Sequence, residues 1–300
     1  MRLLLVDHLV ALYNVILIAV WSPLAMTSAT ARWMIGVHIG ALSLPLLLLW
    51  APELRSSVAR AAREVYPLLW VLVFWKELGI HCSLVGSASN DAFIASLDRS
   101  LFGENFNVTW APAVSQVWVG DLMQFLYFSY YIVLVGVIVR VLSSGNRTAV
   151  RDLTLSFAAV YLGAYIVYAI APTAGPMSMF PRFEGAGTHS LFRVLNDGAA
   201  AAGDATGTAF PSTHVAGALT LALVAWRQLS RTEAWVATVL AVGIAPATVY
   251  TQNHLVIDGV AGAILAVGLQ LSLPVLVKLQ AALAEGRRPR LARDTEPETA

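Results

Sequence analysis

Hydrophobic positions in this chain gather into long runs, several of which extend for about 20 residues without a charge in the middle. A bilayer core requires about that many mostly apolar residues per spanning helix, so each run predicts a transmembrane helix. The runs and the breakers between them predict an all-α polytopic membrane helix bundle of about eight spans. The predicted spans are residues 3–20, 33–50, 67–85, 122–141, 153–171, 213–229, 235–250 and 255–277.

The composition also favours a membrane protein. Of 300 residues, 58% are hydrophobic and only 12% are charged, against about 25% charged residues in soluble domains. Water-soluble α/β and β-sandwich folds are therefore excluded. A formal net charge of +1 without a basic stripe predicts no nucleic-acid partner. The single cysteine, Cys82, cannot form an internal disulfide or a paired thiolate metal site, and we expect a small buried residue.

Lys and Arg residues are distributed unevenly between the two sides of the predicted spans. Because these residues collect in cytoplasmic loops, the side with 14 of them is expected to be cytoplasmic and the side with four external, while Lys76 within the third span completes the 19. Both termini are then cytoplasmic, in the plasma membrane or an equivalent one, and loop 172–211 is external. The alternative, a cleaved signal peptide cut at the small residues 29–31, is disfavoured because Asp7 and His8 interrupt the apolar region.

A first candidate for chemistry lies in stretch 207–215, where the sixth span opens. Ionisable residues near membrane depth are costly and are functional candidates by default, and His214 falls in the first turn of this span. Pro211 followed by Ser212 predicts a helix start with Ser212 as the N-cap. The free N–H groups of this turn, beside Ser212 and Thr213, and the positive end of the helix dipole predict a phosphate-binding site.

A second candidate lies in stretch 250–259, where the eighth span opens. His254 and Asp258 are four residues apart, so on a helix they share a face and the carboxylate can orient the imidazole. The sixth and eighth spans begin on the same side of the membrane, which brings both histidines to one level. The alternatives are an interface residue for each histidine, and a structural ion pair or part of a metal site for the His–Asp pair. No other His or Cys cluster completes a zinc site, so neither a metal nor a cofactor is predicted.

These two stretches resemble known signature motifs. Phe-Pro-Ser-Thr-His-Val at 210–215 and Asn-His-Leu-Val-Ile-Asp-Gly at 253–259 look like the second and third motifs of the type 2 phosphatidic acid phosphatase superfamily. Within it, the chain most resembles the inositol phosphorylceramide synthase-like branch, and the likeness extends from Lys76 to Gly268. The supporting marks are Tyr-Ile-Val-Tyr at 165–168, then Pro172, Gly175 and Pro176, together with residues 97–98 and 101–103.

The resemblance implies a six-helix catalytic core, preceded by two helices, and a phosphohistidine mechanism. In that mechanism His254 attacks phosphorus with the help of Asp258. His214 protonates the leaving alkoxide and then activates the incoming water or alcohol. The predicted domains are a two-helix transmembrane segment at 1–64 and a catalytic membrane domain at 65–280. The end of the chain has no apolar periodicity, which predicts a disordered cytoplasmic tail at 281–300.

The chain departs from the phosphatase pattern in the groups that hold phosphate. It lacks a first motif with Lys and Arg-Pro, and Thr251 and Gln252 stand near the position of an Arg in the third motif. Loop charge is an alternative role for each candidate arginine, and a structural pair with Glu77 is the alternative for Lys76. The phosphate-binding candidates are Lys76, Arg182, Arg193, Gln252, Ser212 and Thr213.

Three function classes are consistent with these features. The favoured one is a transferase that moves a phospho-headgroup between a phospholipid and an alcohol such as inositol or another polyol, as the resemblance implies. The second is a phosphohydrolase acting on a lipid or polyprenyl phosphate. A non-enzymatic transporter or lipid-binding bundle is disfavoured by the intact His/His/Asp set and by the apparent lack of inverted repeats. In the external segment 175–204, Glu184, Asp197 and Asp204 are expected either to bind a polyol or to form a solvated surface.

Overall fold

The computed structural model describes residues 3–50, 57–185 and 190–286, and within these ranges the chain is helical and has no β-strand. One isolated parallel bridge joins Thr173 to Thr208. The helices are α1 (Leu5–Trp21), α2 (Ala29–Trp50), α3 (Ser57–Val85), α4 (Asp91–Phe102), α5 (Phe106–Ala113), α6 (Val117–Ser143), α7 (Arg147–Ile170), α8 (Pro176–Met179), α9 (Leu191–Gly203), α10 (Thr213–Gln228), α11 (Arg231–Tyr250) and α12 (Val256–Gly286).

Eight of these helices, α1 to α3, α6, α7 and α10 to α12, coincide with the eight predicted spans. Helix α10 has 16 residues and is shorter than a full span. The prediction of an all-α polytopic bundle is confirmed, and the chain is an integral membrane protein. Within the described ranges, six segments are long and apolar enough to cross a bilayer: Leu5–Met26, Ala61–Val85, Val117–Ser143, Arg147–Ile170, Arg231–Tyr250 and Val256–Ala282.

Four shorter helices, α4, α5, α8 and α9, connect the long ones. The hydrophobic runs do not predict them because none is long enough to span a membrane. Trp110 of α5 packs against Tyr250 with 5.7 Å between ring centroids. Asp98 of α4 accepts a hydrogen bond from the backbone N–H of Ile257. Helices α4 and α5 therefore lie at the end of the bundle where α12 begins.

Helix α10 occupies the centre of the bundle, where α6, α7, α11 and α12 all pack against it. Small residues let helix backbones approach closely in a membrane, where burial from water does not drive helices together. Helix α10 is rich in such small residues, which explains how so short a helix accommodates four neighbours. Its small buried residues are Ala216, Gly217, Ala218, Ala222 and Ala225.

The N-terminal helices pack on the rest of the bundle. Helix α1 lies against α7, and α3 packs along α7 as well. The predicted domain boundary between residues 64 and 65 falls inside α3, which runs continuously from Ser57 to Val85. The apolar residues that α1 buries are Val6, Val10, Tyr13, Leu17 and Trp21.

Buried charges at the opposite end of the bundle are paired. Both Arg63 and Asp7 are buried, and Arg63 Nη1 donates to Asp7 Oδ1 at 2.7 Å. Glu64 accepts from Arg147 and Arg151 at 2.6 and 2.9 Å. An unpaired charge at membrane depth is costly. The pairing therefore explains how the apolar helix α1 accommodates Asp7.

The last helix continues beyond the predicted end of the membrane domain. A disordered tail is predicted from residue 281, whereas α12 remains helical through Gly286. Ala281, Ala282 and Glu285 are good helix formers, which favours this extension. The rest of the predicted tail, residues 287–300, lies outside the described residues.

Candidate active site

His214 is held in the first turn of the central helix. Ser212 is the N-cap of α10, as the sequence predicts, and its Oγ accepts a hydrogen bond from the Val215 N–H at 3.4 Å. The imidazole stacks on Tyr127, with 4.9 Å between ring centroids, and contacts Tyr130 at 4.4 Å. Two aromatic rings from α6 therefore restrict how the His214 ring can turn. Thr213, the first residue of α10, is buried beside it.

His254 and Asp258 form the predicted pair at the start of α12. His254 Nδ1 lies 3.3 Å from Asp258 Oδ2, and the same oxygen accepts the Leu255 N–H at 2.8 Å. Asp258 therefore both orients the imidazole and satisfies a free N–H group at the helix start. With Nδ1 directed at the carboxylate, Nε2 is the ring nitrogen left for chemistry. Asp258 Oδ1 is buried and has no hydrogen-bond partner in the described part of the chain.

The two histidines face each other across the junction of α10 and α12. Their ring centroids are 5.7 Å apart, with 63° between the ring planes. The Ser212 N–H donates to the Asp258 carbonyl oxygen at 2.9 Å, which ties the two helix starts together. Gly262 makes this junction possible, because a Cβ at that position would collide with the Ser212 carbonyl oxygen. The geometry brings together His214, His254 and Asp258 from two helices.

Asp98 supports this junction from α4. The side chain is fully buried, and its Oδ1 accepts the Ile257 N–H at 2.8 Å, one residue before Asp258. Burial raises the pKa of the Asp98 carboxyl above its usual range, while the hydrogen bonds that it accepts oppose the shift. A free N–H group at the start of α12 is thus bonded to a residue far away in sequence.

Arg182 and Arg193 meet at one carboxylate. Arg182 Nη2 donates to Asp197 Oδ1 at 3.1 Å, and Arg193 Nε donates to Asp197 Oδ2 at 2.7 Å. The Nε of Arg182 is buried and has no hydrogen-bond partner among the described residues. Of the two arginines, Arg182 is therefore the one with a buried donor left unused among the described residues.

Gln252 holds the segment that carries Arg182. The Gln252 Oε1 accepts the Phe183 N–H at 2.6 Å, and its Nε2 donates to the Pro181 carbonyl at 3.3 Å. These two bonds fix the backbone on both sides of Arg182. Gln252 has a φ of 61°, a left-handed conformation that is uncommon outside glycine. The Gln252 side chain is therefore occupied by hydrogen bonds to the backbone segment that carries Arg182.

Lys76 lies at the edge of the same region. Its Nζ is 3.3 Å from the carbonyl oxygens of Ala202 and Gly203, at the end of α9. Glu77, the alternative partner considered for Lys76, instead accepts the Trp21 Nε1–H at 2.6 Å. Asp204 follows α9 directly. Partial desolvation raises the pKa of its carboxyl above the usual range, while the charges of His254 and Lys76 oppose this shift.

Sequence reasoning missed the aromatic contacts of the site. Tyr127 and Tyr130 lie within an apolar span, where a tyrosine is indistinguishable in sequence from an ordinary packing residue. Asp98 was noted only as part of the family resemblance, although a carboxylate in an amphipathic short helix is a signal that could have been followed. The role of Gln252 depends on its left-handed backbone conformation, which the neighbouring residues in the sequence do not predict.

Comparison with known proteins identifies the family. A family model described as the PAP2 superfamily matches residues 92–271, more than half of the chain and both histidine motifs. No curated protein and no solved structure matches the chain. The match supports an enzyme of the phosphatase or phosphoesterase type that acts on lipid phosphates, while the predicted inositol phosphorylceramide synthase-like branch stays a prediction. The chain belongs to the PAP2 superfamily.

Proposed function

We propose that this protein transfers the phosphoryl or phospho-headgroup of a lipid phosphate ester through a phosphohistidine intermediate on His254. The observation that carries the proposal is the pair of imidazoles 5.7 Å apart, one of them hydrogen-bonded to a buried carboxylate. A nucleophile oriented by a third group, with a second acid–base residue nearby, is the arrangement that covalent catalysis requires. A purely structural ion pair would not need His214 at this junction.

In the first step, His254 Nε2 attacks phosphorus, and the bond between phosphorus and the lipid ester oxygen breaks. His214 gives a proton to the departing oxygen, so that an alcohol leaves. Asp258 accepts a hydrogen bond from Nδ1 and stabilises the positive charge that forms on the His254 ring. The first-turn N–H groups of α10, near Ser212 and Thr213, stabilise the equatorial phosphate oxygens.

In the second step, neutral His214 accepts a proton from an incoming water or alcohol, and the oxygen of that molecule attacks phosphorus. The bond between phosphorus and His254 Nε2 then breaks. Water releases inorganic phosphate from a bound phosphoryl group, or the phosphorylated headgroup from a bound phospho-headgroup, whereas an alcohol gives a new phosphomonoester or phosphodiester. The reaction outcome thus depends on which acceptor reaches the phosphohistidine.

Arg182 is our candidate for the phosphate cation, with Gln252 as its positioning residue and Arg193 as the residue that retains Asp197. When phosphate binds, Arg182 exchanges its 3.1 Å bond to Asp197 for a bond to a phosphate oxygen, and Asp197 keeps its 2.7 Å bond to Arg193.

We expect Arg182→Gln and Gln252→Ala to raise the inhibition constant of inorganic phosphate by about tenfold, since a charge-assisted hydrogen bond contributes about 1.5–3 kcal/mol. An unchanged constant in both variants rules out this assignment; Lys76 is then the next candidate.

We favour a transferase, with a lipid or polyprenyl phosphate phosphatase as the second candidate. Asp204 is the carboxylate that we assign to polyol binding in the transferase, because it is exposed and its carboxyl interacts electrostatically with His254. Asp197 is a weaker candidate for binding a polyol, because each of its carboxylate oxygens already accepts a hydrogen bond from an arginine. Well-oriented reactants reach effective concentrations of about 10⁵ M or more, enough for a bound alcohol to outcompete water.

Product analysis separates the two reactions. Purified protein is incubated with labelled phospholipids, with and without inositol, glycerol or other polyols, and the products are separated by chromatography. We expect a polyol-dependent phosphorylated product. Free phosphate or the donor's own phosphorylated headgroup as the sole product at every polyol concentration would overturn the transferase and leave the hydrolase.

We also propose that the site faces the exterior and that both termini are cytoplasmic, which the 14-to-4 distribution of Lys and Arg supports. Single cysteines are introduced at Glu184 and, as the matched control, at Ser144, in a Cys82→Ala protein. Both positions are exposed. In intact cells, an impermeant maleimide is expected to label the protein with cysteine at 184 but not the one at 144. The reverse pattern would place the site on the cytoplasmic face.

A further inference from the structure

A groove separates α11 from α12. Both helices pack closely on α10 but barely touch each other, and the space between them is about 560 Å³. This volume lies within the range of about 300–1,000 Å³ that is usual for ligand sites. Val215 and Leu219 of α10 form the floor, while the walls come from α11 and α12. All of the residues that line it are aliphatic, aromatic, proline or glycine, so the groove is suited to bind a hydrocarbon chain.

The groove begins beside the catalytic residues. Val215 on its floor directly follows His214, and Gly259 on its wall directly follows Asp258. A Cβ on Gly259 would lie 3.7 Å from Val215 Cγ2, so floor and wall meet at this point. A molecule in the groove therefore has one end at the level of the histidine junction.

Helix α5 forms a roof over the same end. Phe106 and Trp110 line the groove from this helix. Trp110 packs edge-to-face on Tyr250 at the end of α11, and the Tyr250 hydroxyl donates to the Val114 carbonyl at 2.7 Å. These contacts fix α5 across the groove. Aromatic residues are typical of the depth where lipid headgroups meet hydrocarbon, the level at which a phosphate ester joins its tail.

A second groove in the bundle provides a comparison. It lies between α6 and α11, has a volume of about 240 Å³, and includes Arg140 and Glu233 in its lining. These two residues form an ion pair of 2.6 Å there. The second groove is smaller, carries charge and is located at the opposite end of α11 from Tyr250. It has no lining residue next to the histidines in sequence.

We propose that the groove between α11 and α12 binds the hydrocarbon chain of the lipid substrate and so selects for long-chain phosphate esters. The inference rests on the proposed function of the histidine site. Bulk membrane lipid is the competing occupant, but a groove that holds only bulk lipid would have no influence on the choice of substrate. The chain of a bound substrate, by contrast, contributes to kcat/KM through every methylene that it buries.

The test narrows the groove with a larger side chain, placed on α11 in one variant and on α12 in another. Ala245→Leu and Ala263→Leu add side chains from α11 and α12, both at lining positions away from the catalytic residues. Gly136→Leu is the matched control, because it adds the same side chain in the second groove, at a glycine with nothing within 4 Å of its Cβ position. Each protein is assayed with long-chain phosphatidic acid and with the water-soluble ester p-nitrophenyl phosphate.

We expect the two groove variants to lose about tenfold in kcat/KM for long-chain phosphatidic acid, as expected from displacing about two buried methylenes. The soluble ester should change by less than about twofold, and the control should behave as wild type with both substrates. A series of shorter acyl chains should shift the preference of the variants towards short donors. This shift is a readout that general damage to the fold would not produce.

Two results would overturn the proposal while leaving the proposed function intact. One is unchanged long-chain activity in both groove variants, and the other is an equal loss with both substrates and with every chain length. A wild-type protein inactive on all phosphate esters would instead contradict the proposed function, and the groove assignment would fall with it. The failure of the groove and the failure of the chemistry are thus distinguishable.

Discussion

His254→Ala is expected to lower kcat by at least about a thousandfold, the scale seen when a nucleophile is removed from a catalytic set. The substitution removes the nitrogen that bonds to phosphorus, and no described side chain takes its place. Asp258→Asn should cost less, because it leaves the nucleophile and changes only its orientation and charge stabilisation. Turnover of a lipid phosphate by purified protein gives the measurement. Rapid acid-free denaturation and mass spectrometry should find a phosphate on His254 in wild type.

His8→Ala is the control for this prediction, since His8 is an exposed histidine near the start of α1, where its Nδ1 lies 3.5 Å from Gln280 Nε2, far along α12 from His254. It should retain wild-type activity. Normal turnover by well-folded His254→Ala protein would contradict the nucleophile assignment. Loss of folded protein in the His254, His214 and Asp258 variants alike would favour the alternative of a structural pair.

Gly262→Ala is expected to reduce kcat by about a hundredfold, because a displacement of about 1 Å in a catalytic group has effects of that size. The added methyl group collides with the Ser212 carbonyl oxygen and approaches the Ala216 nitrogen at 3.4 Å. Both obstacles are backbone atoms, so relief requires α12 to move away from α10. The movement lengthens the bond between the Ser212 N–H and the Asp258 carbonyl and changes the separation of His214 from His254.

Gly268→Ala is the matched control, since it lies in the same helix and a Cβ there has nothing within 4 Å. Alanine favours the helix over glycine by about 1 kcal/mol, so this variant should keep its activity and match or slightly exceed wild-type stability. Steady-state kinetics and thermal unfolding of both variants provide the comparison. Equal activity in Gly262→Ala and Gly268→Ala would show that close packing at Ser212 is not required for catalysis.

The sequence by itself determined the membrane class, the positions of the eight predicted spans and the two helix starts that carry the histidines. These follow from local properties: the length of an apolar run matches bilayer thickness, and Pro-Ser before a histidine marks a helix start. The spacing of His254 and Asp258 also requires only one helical turn. Helices α4, α5, α8 and α9 were not predicted, because short connecting helices have no such length constraint.

Contacts between distant segments were decided by the tertiary structure. The sequence of an apolar span does not show which of its faces packs against which neighbouring helix. It therefore does not predict that Tyr127 and Tyr130 contact His214. From the sequence, Gln252 is a possible phosphate ligand. In the structure its backbone is left-handed, and its side-chain amide is hydrogen-bonded to Pro181 and Phe183. The groove likewise exists only because α11 and α12 pack on α10 more closely than on each other, and that separation depends on helix packing rather than on the hydrophobicity of any one span.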